Sequence, residues 1–173
     1  MKMLATRMQP KSNSSLLLWV LMAVLIFLVT VLQTTVVQGL EIFHVVPNLL
    51  FIVVVCFGLL QGDYSALFVG MICGLLLDFA GSRIIGINTL LCTYVGYACA
   101  GISDNLYNRN AFVSMLFVFL FTIPYELLIY IFNFSIWGRG AFVFALFCKI
   151  LPAAIYNFLF TVLLDPIVRK IVD

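Results

Sequence analysis

The chain has 173 residues, of which 65% are hydrophobic and 9% charged, and its mean hydropathy is +1.22. That balance excludes a soluble globular domain and makes lipid the solvent for most of the surface. The formal charge of +2 comes without a basic stripe that could follow a phosphate backbone, so nucleic-acid binding is disfavoured.

A helix needs roughly 20 apolar residues to cross about 30 Å of hydrocarbon. On that measure the chain is predicted to be one all-α integral-membrane domain over residues 1–173, a bundle of six transmembrane helices, or five. Residues 1–15 form an N-terminal tail carrying Lys2, Arg7 and Lys11. The first span, Leu16 to Val37, is too long for a signal sequence and lacks a small-x-small cleavage site, so it is predicted to be an anchor. The second, Pro47 to Leu60, is short, with Pro47 suited to a first helical turn, and whether 42–60 is a full span is left open. Ser65 to Ala80, Gly86 to Ile102, Ala111 to Phe134 and Ala141 to Leu164 complete the set, followed by a tail at 165–173. With the N-terminus inside, Lys2, Arg7, Lys11, Arg109, Arg169 and Lys170 lie on the inner side and only Arg83 and Arg139 on the outer side, which places both termini in the cytoplasm.

Catalysis finds little to work with. His44 is the one histidine, and there is no zinc-protease, P-loop, nucleophile-elbow or diphosphate-binding motif, so neither an enzyme nor a cofactor or metal site is expected. The cysteines Cys56, Cys73, Cys92, Cys99 and Cys148 all sit in apolar runs without metal-ligand spacing and read as small packing residues.

Polar groups inside lipid are the informative residues, because a charge at mid-bilayer costs about 2.5 to 3.5 kcal/mol on insertion scales. Glu126 lies eight residues before the outer end of the fifth span and Lys149 eight residues after the outer start of the sixth, so both sit about 12 Å deep at 1.5 Å per residue. An ion pair between them is one expectation; separate snorkelling is the other. Gln33, Thr34, Thr35, Asn48, Asp78 and Asn88 gather in the outer half, as a shallow pocket, a docking surface or plain interface markers. Gly62, Ala66, Gly70, Gly74 and Asp78 recur every four residues, a stripe suited to close helix packing within the chain or with a partner, and Gly96 and Ala100 repeat that spacing. Asp78 is then expected to be buried, with Arg83 or Lys149 as its cation, and Pro124 and Pro152 are expected to kink their helices.

The order Pro47-Asn48-Leu49-Leu50, Gly62, Gly70-x-x-x-Gly74-Leu-Leu-Leu-Asp78, Gly86-Ile-Asn88-Thr-Leu and Gly96-Tyr97 resembles the bacterial rod shape-determining MreD family, and Gln33-Thr34-Thr35 resembles the end of that family's first helix. The last two spans carry no matching motif. The resemblance implies a non-enzymatic component of the cell-shape and sidewall peptidoglycan machinery in the inner membrane. Its implied partners are an MreC-like shape protein and, through it, a RodA-type synthase with its transpeptidase and an MreB-type filament. It also implies a fold similar to the S components of energy-coupling-factor transporters, and an S component binding a vitamin is the alternative reading.

Overall fold

The computed structural model describes residues 12–35, 45–62, 64–82, 84–103, 110–135 and 149–172. These form six α-helices and no β-strand: α1 (Ser12–Thr35), α2 (Leu49–Gln61), α3 (Ser65–Phe79), α4 (Ile87–Ser103), α5 (Ala111–Tyr130) and α6 (Leu151–Val172). A wider π-helical turn, Ile131–Ser135, extends α5. Three segments are long and apolar enough to cross a membrane: Leu16–Thr35, Ala111–Asn133 and Leu151–Val172; α2 and α3 are apolar but shorter. The chain is therefore a helical membrane protein.

The shortest helix sits in the middle. Every residue of α2 from Leu49 to Leu60 is buried, and α2 packs against all five other helices. A helix apolar all round has no face to give to water and is stable only when surrounded. Around it the outward faces carry large apolar side chains, among them Leu16, Phe27 and Leu28 on α1 and Leu159 and Leu163 on α6. Exposed apolar surface on that scale fits a lipid solvent.

α3 and α4 pair more closely than any other helices, and the four-residue stripe is the reason. A Cβ on Gly70 would run into the carbonyl oxygen of Cys92, and one on Gly74 would lie 2.5 Å from Thr89 Cα. Ala66 is fully buried, with its carbonyl oxygen against Gly96. Of the two alternatives, packing within the chain or with a partner, α3 and α4 show the first: α4 fills the stripe at Ala66, Gly70 and Gly74. Gly62 does something else. Its φ of 64° is left-handed, and its N–H closes α2 on the Gly58 carbonyl at 3.2 Å, the usual way a glycine ends a helix.

A further difference concerns α6. It runs on through Val172, so the residues read as a C-terminal tail are helical up to that point. Pro152 is the second residue of α6 and follows directly on a π-helical pair at 149–150, and a second proline, Pro166, lies inside the helix. Of the residues singled out from the sequence, Lys2, Arg7, Lys11, His44, Arg83, Arg109, Arg139 and Cys148 lie outside the described residues.

Candidate functional site

A helix leaves its first N–H groups without partners, and within protein or lipid each one left bare costs several kcal/mol. α2 and α4 both begin inside the bundle, at the end where α1 and α3 finish. The polar residues there serve as acceptors for those N–H groups.

At the start of α2, Asn48 caps its own helix, its side-chain oxygen accepting from Phe51 N at 3.1 Å. Gln33, arriving on α1, accepts from Leu49 N at 2.8 Å through Oε1 and donates to the Pro47 carbonyl at 3.0 Å through Nε2. Asn157 on α6 accepts from Asn48 N at 2.8 Å. Three first-turn donors are therefore met by side chains from three different helices.

At the start of α4 the acceptor is Asp78, the last polar residue of α3. Its carboxylate accepts from Asn88 N at 3.2 Å, Thr89 N at 3.0 Å and the Thr89 hydroxyl at 2.5 Å. A carboxylate at a helix N-terminus is stabilised by the aligned N–H groups and the helix dipole. The expected buried Asp78 is found, 3% exposed. Among the described residues its partner is the α4 N-terminus; Arg83, one of the two cations expected for it, lies outside them.

Tyr125 joins the two clusters. Its fully buried phenol donates to Asn88 Oδ1 at 2.9 Å and accepts from Asn48 Nδ2 at 3.3 Å, with its ring against Phe51 at a centroid distance of 4.3 Å. Asn88 also donates to Ser82 Oγ, and Asn157 donates to Thr122 Oγ1 at 3.3 Å. The result is one polar layer to which all six helices contribute.

Above this layer opens a cleft of about 340 Å³, whose lining includes Asn48, Asn88, Tyr125, Glu126, Ile129 and Lys149. Glu126 and Lys149 thus line the same cleft. Gln33 and Thr34 border it too. Of the polar residues expected from the sequence, Gln33, Thr34, Asn48, Asp78 and Asn88 therefore converge on one place, with Tyr125, Asn157, Thr122 and Thr89 as members that the sequence reading did not pick out.

The opposite end of the bundle holds a second polar cluster. Asp165 on α6 is fully buried and pairs with Arg169 one turn later, Nε to Oδ2 at 2.5 Å. Arg169 also donates to Ser114 on α5 at 3.1 Å, and α6 packs here against α2, where Cys56 is fully buried. Nearby in the same layer, Ser103 at the end of α4 donates to the Leu59 carbonyl at 2.7 Å. Cys56, Cys73, Cys92 and Cys99 are buried thiols. Among the described residues, no three His, Cys, Asp or Glu side chains are grouped so as to hold a metal ion.

No curated protein and no solved structure matches the chain. A family model does, that of the rod shape-determining protein MreD, over residues 13–173. Nearly the whole sequence is covered, including the last two helices, where no motif is visible by eye. The chain accordingly belongs to the MreD family of membrane proteins that determine rod cell shape.

Proposed function

We propose that the chain is a non-enzymatic scaffold of the sidewall peptidoglycan machinery, crossing the bacterial cytoplasmic membrane six times with both termini inside. The observation that carries this reading is the family match over residues 13–173. In this reading the chain docks an MreC-like shape protein and, through it, biases a RodA-type synthase with its transpeptidase and an MreB-type filament. A scaffold needs a stiff body, and a polar layer bonded across six helices gives one.

Because α4 occupies the Ala66 to Gly74 stripe, partner contact falls to the lipid-facing sides. α1 is the favoured side: its long apolar face, from Leu16 to Leu32, is largely exposed, and its principal packing partner is α2. Affinity purification from native membranes in mild detergent, with a C-terminal tag, tests the reading. Shape and sidewall-synthesis proteins are expected in the eluate, and tryptophan substitutions at Leu17, Val24 and Leu28 should reduce their recovery without reducing insertion. Recovery of a transmembrane coupling subunit with paired ATPases instead would overturn the scaffold in favour of a transport component.

A further inference from the structure

α1 and α3 lie side by side but make few contacts with each other. α1 rests chiefly on α2, and α3 on α4 and α2, which leaves a gap between the two. The gap is a groove of about 360 Å³. Met22 and Ile26 on α1 and Val69 on α3 form its buried floor, and Trp19, Phe27 and Ile72 stand exposed along its rims. Thr30 is the polar member of the lining, and its hydroxyl is spent on the Ile26 carbonyl at 2.7 Å. An apolar gap left empty forfeits the dispersion contacts of every atom that lines it, so the groove calls for an apolar filling.

The groove leads into the cleft above the polar layer. Toward the end where α1 and α3 finish, Thr30 gives way to Gln33 and Thr34 on one wall, and Leu76 to Leu77 and Ala80 on the other, and these line the cleft. The seam between α1 and α3 is therefore apolar along its length and polar at one end, the profile of an amphiphile. Among the described residues, Gln33 Nε2 donates to the Pro47 carbonyl alone, and an amide nitrogen carries two hydrogens, so one donor remains at this edge.

Length and side-chain size decide between a lipid tail and a helix as the occupant. From Trp19 to Thr30 the groove runs about 17 Å at 1.5 Å per residue, close to one leaflet's share of the hydrocarbon, about 15 Å; a spanning helix would need about 30 Å. Helices in lipid also meet through small residues, whereas these rims carry Trp19, Phe27 and Ile72. A flexible chain ending in a polar group suits both dimensions.

We propose that the seam between α1 and α3 holds one membrane glycerolipid, with an acyl chain in the groove and the glycerol-ester region at the Gln33 and Thr34 edge of the cleft. The inference goes beyond the scaffold reading. At about 100° per residue, Met22, Ile26 and Thr30 lie on the opposite side of α1 from Leu17, Val24 and Leu28, so either reading can fail without the other.

The test reconstitutes the purified full chain in vesicles of equal parts phosphatidylethanolamine and phosphatidylglycerol, extracts it again, washes it in lipid-free mild detergent and counts retained lipid by native mass spectrometry. The unaltered chain is expected to keep one lipid, of either head. Ala23→Trp and Ile72→Trp fill the groove from its two walls, at positions that are exposed and so leave the core untouched. Each should lower the retained share by about tenfold, the ratio that 1.4 kcal/mol gives. Ala80→Trp narrows the cleft edge, leaves the groove open and should lower it too, while Leu28→Trp on the far side of α1 should not. Absence of retained lipid on the unaltered chain would overturn the proposal, as would retention unchanged in both groove variants. Retention unchanged in Ala80→Trp would put the head outside the cleft and overturn it as well. A dimer of the chain that Ala23→Trp dissociates would assign the groove to a second copy instead.

Discussion

The two ends of the bundle solve the same problem with different chemistry. At the Asn48 end, two helices start inside the protein, and the bare donors are met by acceptors from other helices, Gln33, Asn157 and Asp78. At the Asp165 end the key partners lie one turn apart on a single helix, with Ser114 added from α5. The first arrangement depends on the whole fold being in place and spreads its bonds over six helices. The second is local: the ion pair can form as soon as α6 does, and then docks against α5 and α2. Connections of the first kind specify how helices are arranged, whereas the second kind keeps one helix end neutral enough to be buried.

The largest test of that contrast is Arg169→Met. It leaves the fully buried Asp165 without its cation, and removing one partner of a buried pair typically costs about 3 to 5 kcal/mol. The lower part of that range is expected, because the Arg169 side chain is 23% exposed. Thermal unfolding in detergent should show the loss, and the double variant Asp165→Leu/Arg169→Met should recover most of it.

Asp78→Ala comes next, at about 2 to 3 kcal/mol, because it strands two backbone N–H groups and one hydroxyl at the start of α4. Asp78→Asn keeps one acceptor oxygen and should cost about half as much by the same unfolding measurement. Gly74→Ala should cost about 1 to 3 kcal/mol through the forced separation of α3 from α4, whereas Gly101→Ala, with open space around it, should be neutral or slightly stabilising.

Tyr125→Phe removes the bridge between the two halves of the Asn48 end while keeping the ring against Phe51, and about 1 kcal/mol is expected. Its double-mutant cycle with Asp78→Ala should be non-additive, since Asn88 lies between them, and its cycle with Arg169→Met should be additive. Equal coupling in both cycles would mean that the two ends are not independent.

Much of this was legible in the sequence for identifiable reasons. The helices follow from apolar runs of the right length, and Gln33, Asn48, Asp78 and Asn88 fall at their ends on one side. The stripe at Ala66, Gly70 and Gly74 correctly signalled a close helix contact, but four-residue spacing does not say which helix fills it. The α4 N-terminus was missed as a partner for Asp78 because charge was weighed and helix ends were not: N–H groups ten residues along the chain can meet a carboxylate as a cation can. Asn157 and Tyr125 gave no signal because their bonds to Asn48 span 109 and 77 residues, and a single polar residue in an apolar run carries no periodicity. Asp165 and Arg169 did carry one, the i,i+4 spacing of opposite charges, but they were assigned to a tail where such pairs contribute little.

The central claim is that side chains from other helices complete the starts of α2 and α4. Amide hydrogen exchange resolved to single residues tests it most directly. In the unaltered protein the amides of Asn48, Leu49, Asn88 and Thr89 are expected to be as protected as those in mid-helix. In Asp78→Ala, Asn88 and Thr89 should exchange on the order of tenfold to a hundredfold faster, matching 1.4 to 2.8 kcal/mol, while Asn48 and Leu49 hold. In Asn157→Ala the pattern should reverse, with Asn48 exposed and Asn88 held. Unchanged protection at Asn88 and Thr89 when Asp78 is gone would contradict the account.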